Sequence, residues 1–223
     1  MLRISIPTNF LDAAMFAVSK AKTRYYLCGV FIDPRGYIVS TNGRVLFAAR
    51  VPDARQIEGQ GIIVPSEAIA QVRKAAGRKA PPGVEVRRDD QGLWWLEQGA
   101  ARVNFTPVDG TYPDWVRVVP RVPETIVAAH FDPLYFSAIG NMAKAIGGKK
   151  DSATSFTLHQ NGENPALVTF PDYSDPKNVV AVRADCMAII TPRRERVNAL
   201  APTDFVEKFL DHSPLVKDEP DAA

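Results

Sequence analysis

The sequence predicts an α+β protein in which helices cover one face of antiparallel sheets. Of its 223 residues, 46% are hydrophobic and 23% are charged, which is enough apolar side chain for a substantial globular core. A strand-like run, a helical segment and several further strand-like runs follow one another, and this order occurs three times. Short turns join the runs, and one of them contains Asn42-Gly43, a pair that favours a tight hairpin. We therefore expect three strand–helix–strands units of about 60 to 70 residues each.

The first unit opens with a weakly alternating run at residues 2–6. Apolar side chains then recur at helical spacing and predict a helix over residues 8–19, with Thr8 or Asn9 as its N-cap. Strands are predicted after this helix at residues 25–32, 37–40 and 45–51.

The second and third units repeat this order. The second is predicted as a strand at 62–65, a helix at 66–76 and strands at 84–88, 93–97 and 101–106. The third is predicted as a strand at 125–129, a helix at 132–146 and strands at 155–159, 166–170, 179–182 and 187–191. From about residue 203 the chain is polar and acidic, which predicts a flexible tail.

Basic residues cluster at or just beyond the end of each predicted helix, although the formal net charge is only +2. One cation per helix end is explained by the helix dipole, which is worth about 0.3 to 1 kcal/mol. Clusters at all three ends instead suggest a positive band that binds duplex DNA without reading its sequence. The alternative is a set of ordinary solvated helix ends. The candidate DNA contacts are Lys20, Lys22, Arg24, Arg73, Lys74, Arg78, Lys79, Lys144, Lys149 and Lys150.

Motifs in a fixed order carry a family resemblance. Residues 23–30 contain Arg-Tyr-Tyr-Leu, residues 39–46 contain Ser-Thr-Asn-Gly-Arg, and residues 108–120 contain Asp-Gly-Thr-Tyr-Pro-Asp-Trp and end in Val-Val-Pro. In order and spacing these runs resemble the middle domain of the bacterial DNA polymerase III beta subunit, the sliding clamp. Residues 131–146 are similar to the family's last helix, and residues 188–194 are similar to its C-terminal strand.

The resemblance implies a DNA-clamp fold and a domain plan. Residues 1–122 would form a clamp domain of two units like the family's middle domain, 123–200 a half domain like the end of its last domain, and 201–223 a tail. Family members form rings of twelve units whose helices line a channel for double-stranded DNA. Three units per chain therefore predict a homotetramer, with isologous contacts between first units and between third units.

The resemblance also implies a non-catalytic protein with a pocket for partner peptides. In the family, DNA polymerase and clamp-loader subunits insert a short hydrophobic peptide between the middle and last domains. Thr191 and Arg193 stand where the family has two adaptable methionines. A clamp-like adaptor or decoy that binds replication proteins without encircling DNA is the alternative. The pocket positions carried over are Thr41, Gly43, Leu46, Pro113, Arg117, Val118, Ile189, Ile190 and Pro192.

Other chemistry finds little support in the sequence. The three histidines lie apart from one another and from Cys28 and Cys186, so no metal site and no cofactor is predicted. The two cysteines are expected to be reduced thiols of a cytoplasmic protein. Asp109 and Asp114 flank a turn, which is the role we favour over a catalytic carboxylate pair. No phosphate-binding loop or nucleophile elbow appears.

Overall fold

A computed structural model describes residues 2–120, 129–147, 155–172 and 182–193. These residues form the α-helices α1 (Thr8–Met15), α2 (Ser66–Ala76) and α3 (Pro133–Gly147). The strands in chain order are β1 (Leu2–Pro7), β2 (Gly29–Asp33), β3 (Tyr37–Thr41), β4 (Val45–Arg50), β5 (Ile62–Pro65), β6 (Gly83–Arg88), β7 (Trp94–Gln98), β8 (Ala101–Phe105), β9 (Thr157–His159), β10 (Ala166–Pro171) and β11 (Val182–Ile190).

The strands form two antiparallel sheets, and each sheet contains strands from more than one of the three units. The four-stranded sheet has the order β1-β6-β7-β8, so that the first strand of unit one joins the strands of unit two. The seven-stranded sheet has the order β5-β2-β3-β4-β11-β10-β9, so that β4 of unit one pairs with β11 of unit three. The first unit therefore lies between the other two.

This topology corrects one expectation about assembly. A contact between the first units of two chains requires the outer edge of β4 to be open. That edge is occupied within the chain, because Leu46 pairs with Ile189 and Ala48 pairs with Met187. A strand pairing between the first units of two chains through β4 is therefore not available.

One apolar core joins the helices to the inner faces of both sheets. Ile4, Phe47, Leu96, Ile139 and Met142 are almost completely buried and come from all three units. Helix α1 packs against α3, whereas α2 lies over β7 and β8. At about 25 cal/mol per Å² of apolar surface, this shared burial is the main term that holds the units together.

The outer face of the seven-stranded sheet carries a second apolar cluster. Its buried members include Leu27, Phe31, Leu46, Trp115 and Ile189. Because β2 and β4 are covered on both faces, their sequences are nearly continuous hydrophobic runs instead of alternating ones. The second apolar face of the sheet has to be shielded from water. The 3₁₀ segments that contain Leu27 and Trp115 pack against it and provide this shielding.

The N-terminal helix ends earlier than its sequence predicts. It stops at Met15 instead of Ser19, and Lys22–Leu27 form a 3₁₀ turn where a strand was expected. The Ser40 hydroxyl donates a 2.7 Å hydrogen bond to the Ala14 carbonyl, which a longer helix would need for its own next N–H. The predicted side-chain cap is also absent, since Pro7 occupies the N-cap position and makes no such bond.

The bounds predicted for the other helices and for the last strands can be compared with the structure. Helix α2 has the predicted bounds, and α3 begins one residue later and ends one residue later than expected. The two last predicted strands are one, β11, as far as the described residues extend. Of the strand predicted at 125–129, residues 125–128 lie outside the described residues, as does the tail at 201–223.

Candidate functional site

A rigid hairpin forms one wall of a cavity on the outer face of the seven-stranded sheet. Gly43 has φ of +87°, a left-handed conformation that favours glycine. The Thr41 hydroxyl donates to the Val45 carbonyl at 2.8 Å and accepts from the Gly43 amide at 3.0 Å. The Asn42 side chain accepts from the amides of Arg44 and Val45, both at 2.9 Å. These side-chain bonds hold the turn in one conformation.

The floor of the cavity lies at the seam between the first and third units. Leu46 of β4 and Ile189 of β11 are direct cross-strand partners, so their side chains lie side by side on the same face. Leu27, from the 3₁₀ turn after α1, packs beside them. All three are buried, and the floor is entirely apolar.

The opposite wall is the 3₁₀ segment Trp115–Val118, and a buried carboxylate anchors it. The Trp115 indole N–H donates to the Asp33 carboxylate at 2.8 Å, and the Arg35 guanidinium donates to the same carboxylate at 2.6 to 3.0 Å. Burial by itself raises the pKa of Asp33, but the hydrogen bonds from Arg35 and Trp115 outweigh it and hold this pKa below its usual value. The wall is therefore fixed by charge-assisted hydrogen bonds.

The cavity between these walls is open to solvent and measures about 170 Å³. An apolar cavity of about 150 Å³ accommodates benzene, so this one has room for a single aliphatic or aromatic side chain. Six of the predicted pocket residues line it, namely Thr41, Gly43, Leu46, Pro113, Val118 and Ile189.

Three predicted pocket residues do not line the cavity. Ile190 lies on the other face of β11 and is fully buried in the main core, because successive residues of a strand face opposite sides. Pro192 is buried beyond the end of that strand. Arg117 extends into solvent, with its Nε 3.8 Å from the Asp114 carboxylate.

Sequence reasoning missed six lining residues. Leu27 lies within the Arg-Tyr-Tyr-Leu motif, and Trp115 directly follows the Pro-Asp of another motif, so both were close to a recognised signal. Thr191 was noted for its departure from the family but was not placed in the pocket. The remaining missed residues are Arg44, Val45 and Asp114.

Basic side chains surround the rim of the cavity. The Arg24 guanidinium lies over the turn, with Nη1 2.7 Å from the point that a Cβ on Gly43 would occupy. Arg44 and Arg117 are exposed nearby. Arg24 was predicted to contact DNA as part of the first basic cluster, and the structure places it beside the pocket. A partner with carboxylates next to its apolar anchor would suit this rim.

A larger groove continues along the β4–β11 seam on the same face of the sheet. Its volume is about 710 Å³, and Trp115 lines both this groove and the cavity. Its apolar lining includes Ala48 and Met187, which are cross-strand partners. Arg35, Arg50 and Arg183 also line it, and two of these arginines are paired with acids, Arg35 with Asp33 and Arg183 with Asp185.

The predicted DNA contacts differ in their surroundings. Arg73 forms a paired hydrogen bond with the Asp12 carboxylate at 2.8 and 2.9 Å and a third bond with Gln98, so it ties α2 to α1. Lys149 and Lys150 lie outside the described residues. The other predicted contacts, apart from Arg24, have exposed side chains: Lys20, Lys22, Lys74, Arg78, Lys79 and Lys144.

The described part of the chain contains no group of three His, Cys, Asp or Glu side chains able to hold a metal ion. Cys28 and Cys186 are free thiols, and burial together with the neighbouring Asp185 raises the pKa of Cys186 to about 12. No helix among the described residues is long and apolar enough to cross a membrane.

Two antiparallel sheets built from repeated units, backed by helices and bearing an apolar pocket at a strand seam, define a sliding-clamp fold. A sliding clamp from Caulobacter crescentus superimposes with a TM-score of 0.58 and 21% identity, covering 86% of this chain and 66% of that one. A DnaN sliding clamp from Bartonella birtlesii, solved bound to griselimycin, gives a TM-score of 0.59 at 17% identity over 87% of this chain.

Sequence comparison leads to the same group of proteins. The beta sliding clamp of Caulobacter vibrioides is 31% identical over 162 residues, which are 67% of this chain and 43% of that protein. The Escherichia coli K12 clamp is 26% identical over 132 residues. No family model matches the chain. The chain belongs to the bacterial beta sliding clamp family, and it spans less than half the length of these relatives.

Proposed function

We propose that this chain is a DNA sliding clamp, a polymerase processivity factor that encircles duplex DNA and holds partner proteins by short peptides. The observation that carries the proposal is the cavity at the β4–β11 seam. Its floor is apolar, its volume suits one side chain, and its walls are fixed by hydrogen bonds. Such a preformed pocket binds an anchor residue without a large ordering cost.

The proposed partners at this pocket are DNA polymerase and clamp-loader subunits. Nothing in the pocket suggests catalysis, because its lining is mainly aliphatic and aromatic and its one carboxylate, that of Asp114, lies near the guanidinium groups of Arg35 and Arg117. The basic rim favours peptides that place a carboxylate next to the apolar anchor. The proposed role is therefore that of a non-catalytic clamp that holds its partner proteins on DNA.

Exposed lysines and arginines at the helix ends support the DNA part of the proposal. Lys74 lies in the last turn of α2, Arg78 and Lys79 come just after that helix, and Lys144 occupies the last turn of α3. Binding through phosphates releases counterions and reads no sequence, which is the mode that permits sliding. Encirclement requires other copies of the chain, since three units cover only part of a ring.

We propose a ring of four chains with isologous contacts. In the seven-stranded sheet the strands of the first unit are internal, because β2 pairs with β5 and β4 pairs with β11 within the chain. Contacts between second units and, by surfaces other than the short edge strand β9, between third units of neighbouring chains would close the ring. Sedimentation equilibrium at micromolar concentration tests this assembly. A tetramer mass is expected, and a monomer at that concentration would rule out the ring.

Griselimycin is bound to the Bartonella clamp, and we propose it as a probe for the pocket of this chain. We expect this chain to bind it, and Val118→Arg to abolish binding by placing a charge in the apolar cavity. Val182→Arg is a matched control, because Val182 is also an exposed valine but lies away from the cavity. Equal binding by both variants would contradict the pocket assignment. A monomer that still binds griselimycin would favour the alternative, an adaptor that does not encircle DNA.

A further inference from the structure

The two sheets have four edge strands, and three of them are protected. Along β1, the Ser5 amide donates to the Asp53 carboxylate at 3.3 Å, and the turn Pro52–Gln56 packs against the strand. On β5, the Ile63 carbonyl accepts the Val108 amide at 2.9 Å. Strand β9 has only three residues. Blocked or very short edges are the usual means by which proteins avoid unwanted strand pairing.

Strand β8 is the exception. Its five residues pair with β7 in an unbroken register, and among the described residues no other backbone group bonds to its outer edge. It contains no proline, glycine or lysine and no bulge, and its one charged side chain, Arg102, is paired with Glu97 of the neighbouring strand β7. A regular open edge of this kind is a template for another strand.

The side chains of β8 suit a partner strand with the same sequence. Arg102 and Asn104 are exposed on the outer face, while Ala101 and Val103 are half-buried and Phe105 is buried on the inner face. An antiparallel pair centred on Val103 aligns all five residues. It sets Arg102 opposite Asn104 and the small Ala101 opposite the large Phe105. Centring the pair on Arg102 would instead oppose two arginines, which is unfavourable.

We propose that β8 pairs antiparallel with β8 of a second copy, about a two-fold axis at Val103. The result is a continuous eight-stranded sheet in which second unit meets second unit. This inference rests on the proposed ring and names one of its interfaces. Because α2 covers β7 and β8, the two-fold axis places both copies of α2 on the same side of the joined sheet. Lys74 and Arg78 of both copies then lie on one face, where a duplex would run.

Cysteine cross-linking tests the seam. Residues opposite each other in an antiparallel pair have Cα atoms about 4.5 or 5.5 Å apart, within the range of about 4.4 to 6.8 Å that a disulfide requires. Val103→Cys, in a Cys28→Ser background, should give a covalent dimer under mild oxidation on a non-reducing gel. Ser5→Cys on the protected edge β1 is the matched control and should not. Equal cross-linking of both variants would overturn the proposal.

Charge at position 104 gives a second, independent readout. Asn104→Arg places two arginine pairs across the seam and should weaken association about tenfold, whereas Asn104→Asp should tighten it by pairing with Arg102. Both variants lose the same exposed hydrogen bond from Asn104 to the Trp94 carbonyl, so fold stability should be matched. Sedimentation measures the association. If the chain is oligomeric but neither variant changes association, the β8 seam is wrong while the ring stands. A monomeric wild-type protein would overturn both the β8 seam and the ring.

Discussion

The indole N–H of Trp115 and the buried carboxylate of Asp33 are joined by a 2.8 Å hydrogen bond across 82 residues of sequence. This bond fixes the outer wall of the pocket to the end of β2. The same carboxylate receives the Arg35 guanidinium and the Arg35 amide, so one buried acid anchors both a turn and the wall. The pocket therefore depends on a polar group that does not line it.

Replacing this acid should weaken both the fold and the pocket. We expect Asp33→Asn to lower the free energy of unfolding by about 1.5 to 3 kcal/mol, because it removes charge-assisted hydrogen bonds in a buried setting. Urea unfolding followed by tryptophan fluorescence measures the loss. Asp109→Asn is the control, since Asp109 is exposed and should change stability little. An equal effect of the two substitutions would show that the Asp33 anchor is unimportant.

The lowered pKa of Asp33 predicts a pH dependence with a definite sign. The ionised form is favoured in the folded state, so its stabilisation is present above the unfolded pKa of about 4 and is lost as pH falls through the folded value. The stability gap between wild type and Asp33→Asn should therefore be constant near neutral pH and should narrow below about pH 4. Unfolding curves at a series of pH values measure it. A gap that widens on acidification would contradict the sign.

Gly43 should tolerate no side chain, for two separable reasons. Its φ of +87° disfavours any L residue by about 1 to 2 kcal/mol. A Cβ would also meet the Arg24 guanidinium at 2.7 Å. Gly59→Ala is a matched control, because Gly59 has φ of +77° and nothing lies within 4 Å of the added carbon.

We expect both alanine variants to lose stability, but only Gly43→Ala to weaken griselimycin binding, because only it displaces Arg24 at the pocket rim. Thermal unfolding and calorimetric titration separate the two effects. Unchanged binding by Gly43→Ala would mean that the position of Arg24 is irrelevant to the pocket.

The basic residues at the helix ends should differ in what they contribute. Changing Lys74, Arg78 and Lys144 to alanine should reduce the slope of log affinity for DNA against log salt concentration by about 0.9 for each lost phosphate contact. Arg73→Ala should instead destabilise the fold, because Arg73 bonds Asp12 and Gln98. Fluorescence anisotropy at several salt concentrations measures the slope. An unchanged slope in the triple variant would show that these three residues do not contact DNA phosphates, and it would contradict the proposed positive band.

Local features of this fold were predictable and long-range ones were not. Helix α2 has clear boundaries in Pro65 and Gly77, and the Asn-Gly pair marked the position of the hairpin, although only Gly43 of the pair has a positive φ. The early end of α1 depends on Ser40, which lies 26 residues from the Ala14 carbonyl that it bonds. No periodicity within the helix could reveal that competition.

The same distinction applies to the site. Motif positions identified six lining residues, because those motifs are local in sequence. Ile190 was misplaced because it directly follows Ile189 on β11, and successive residues of a strand face opposite sides, so that only one of the two can line the cavity. The anchor at Asp33 and the internal position of the first unit arise from pairings between distant segments, which sequence patterns do not specify.

Retention on circular DNA tests encirclement most directly. The chain is incubated with a closed circular plasmid, passed through a sizing column in salt high enough to screen phosphate contacts, and compared with the same plasmid after a single cut. A ring that surrounds DNA should remain with the circle and leave the linear form through its ends. Equal loss from both forms, or equal retention on both, would contradict encirclement.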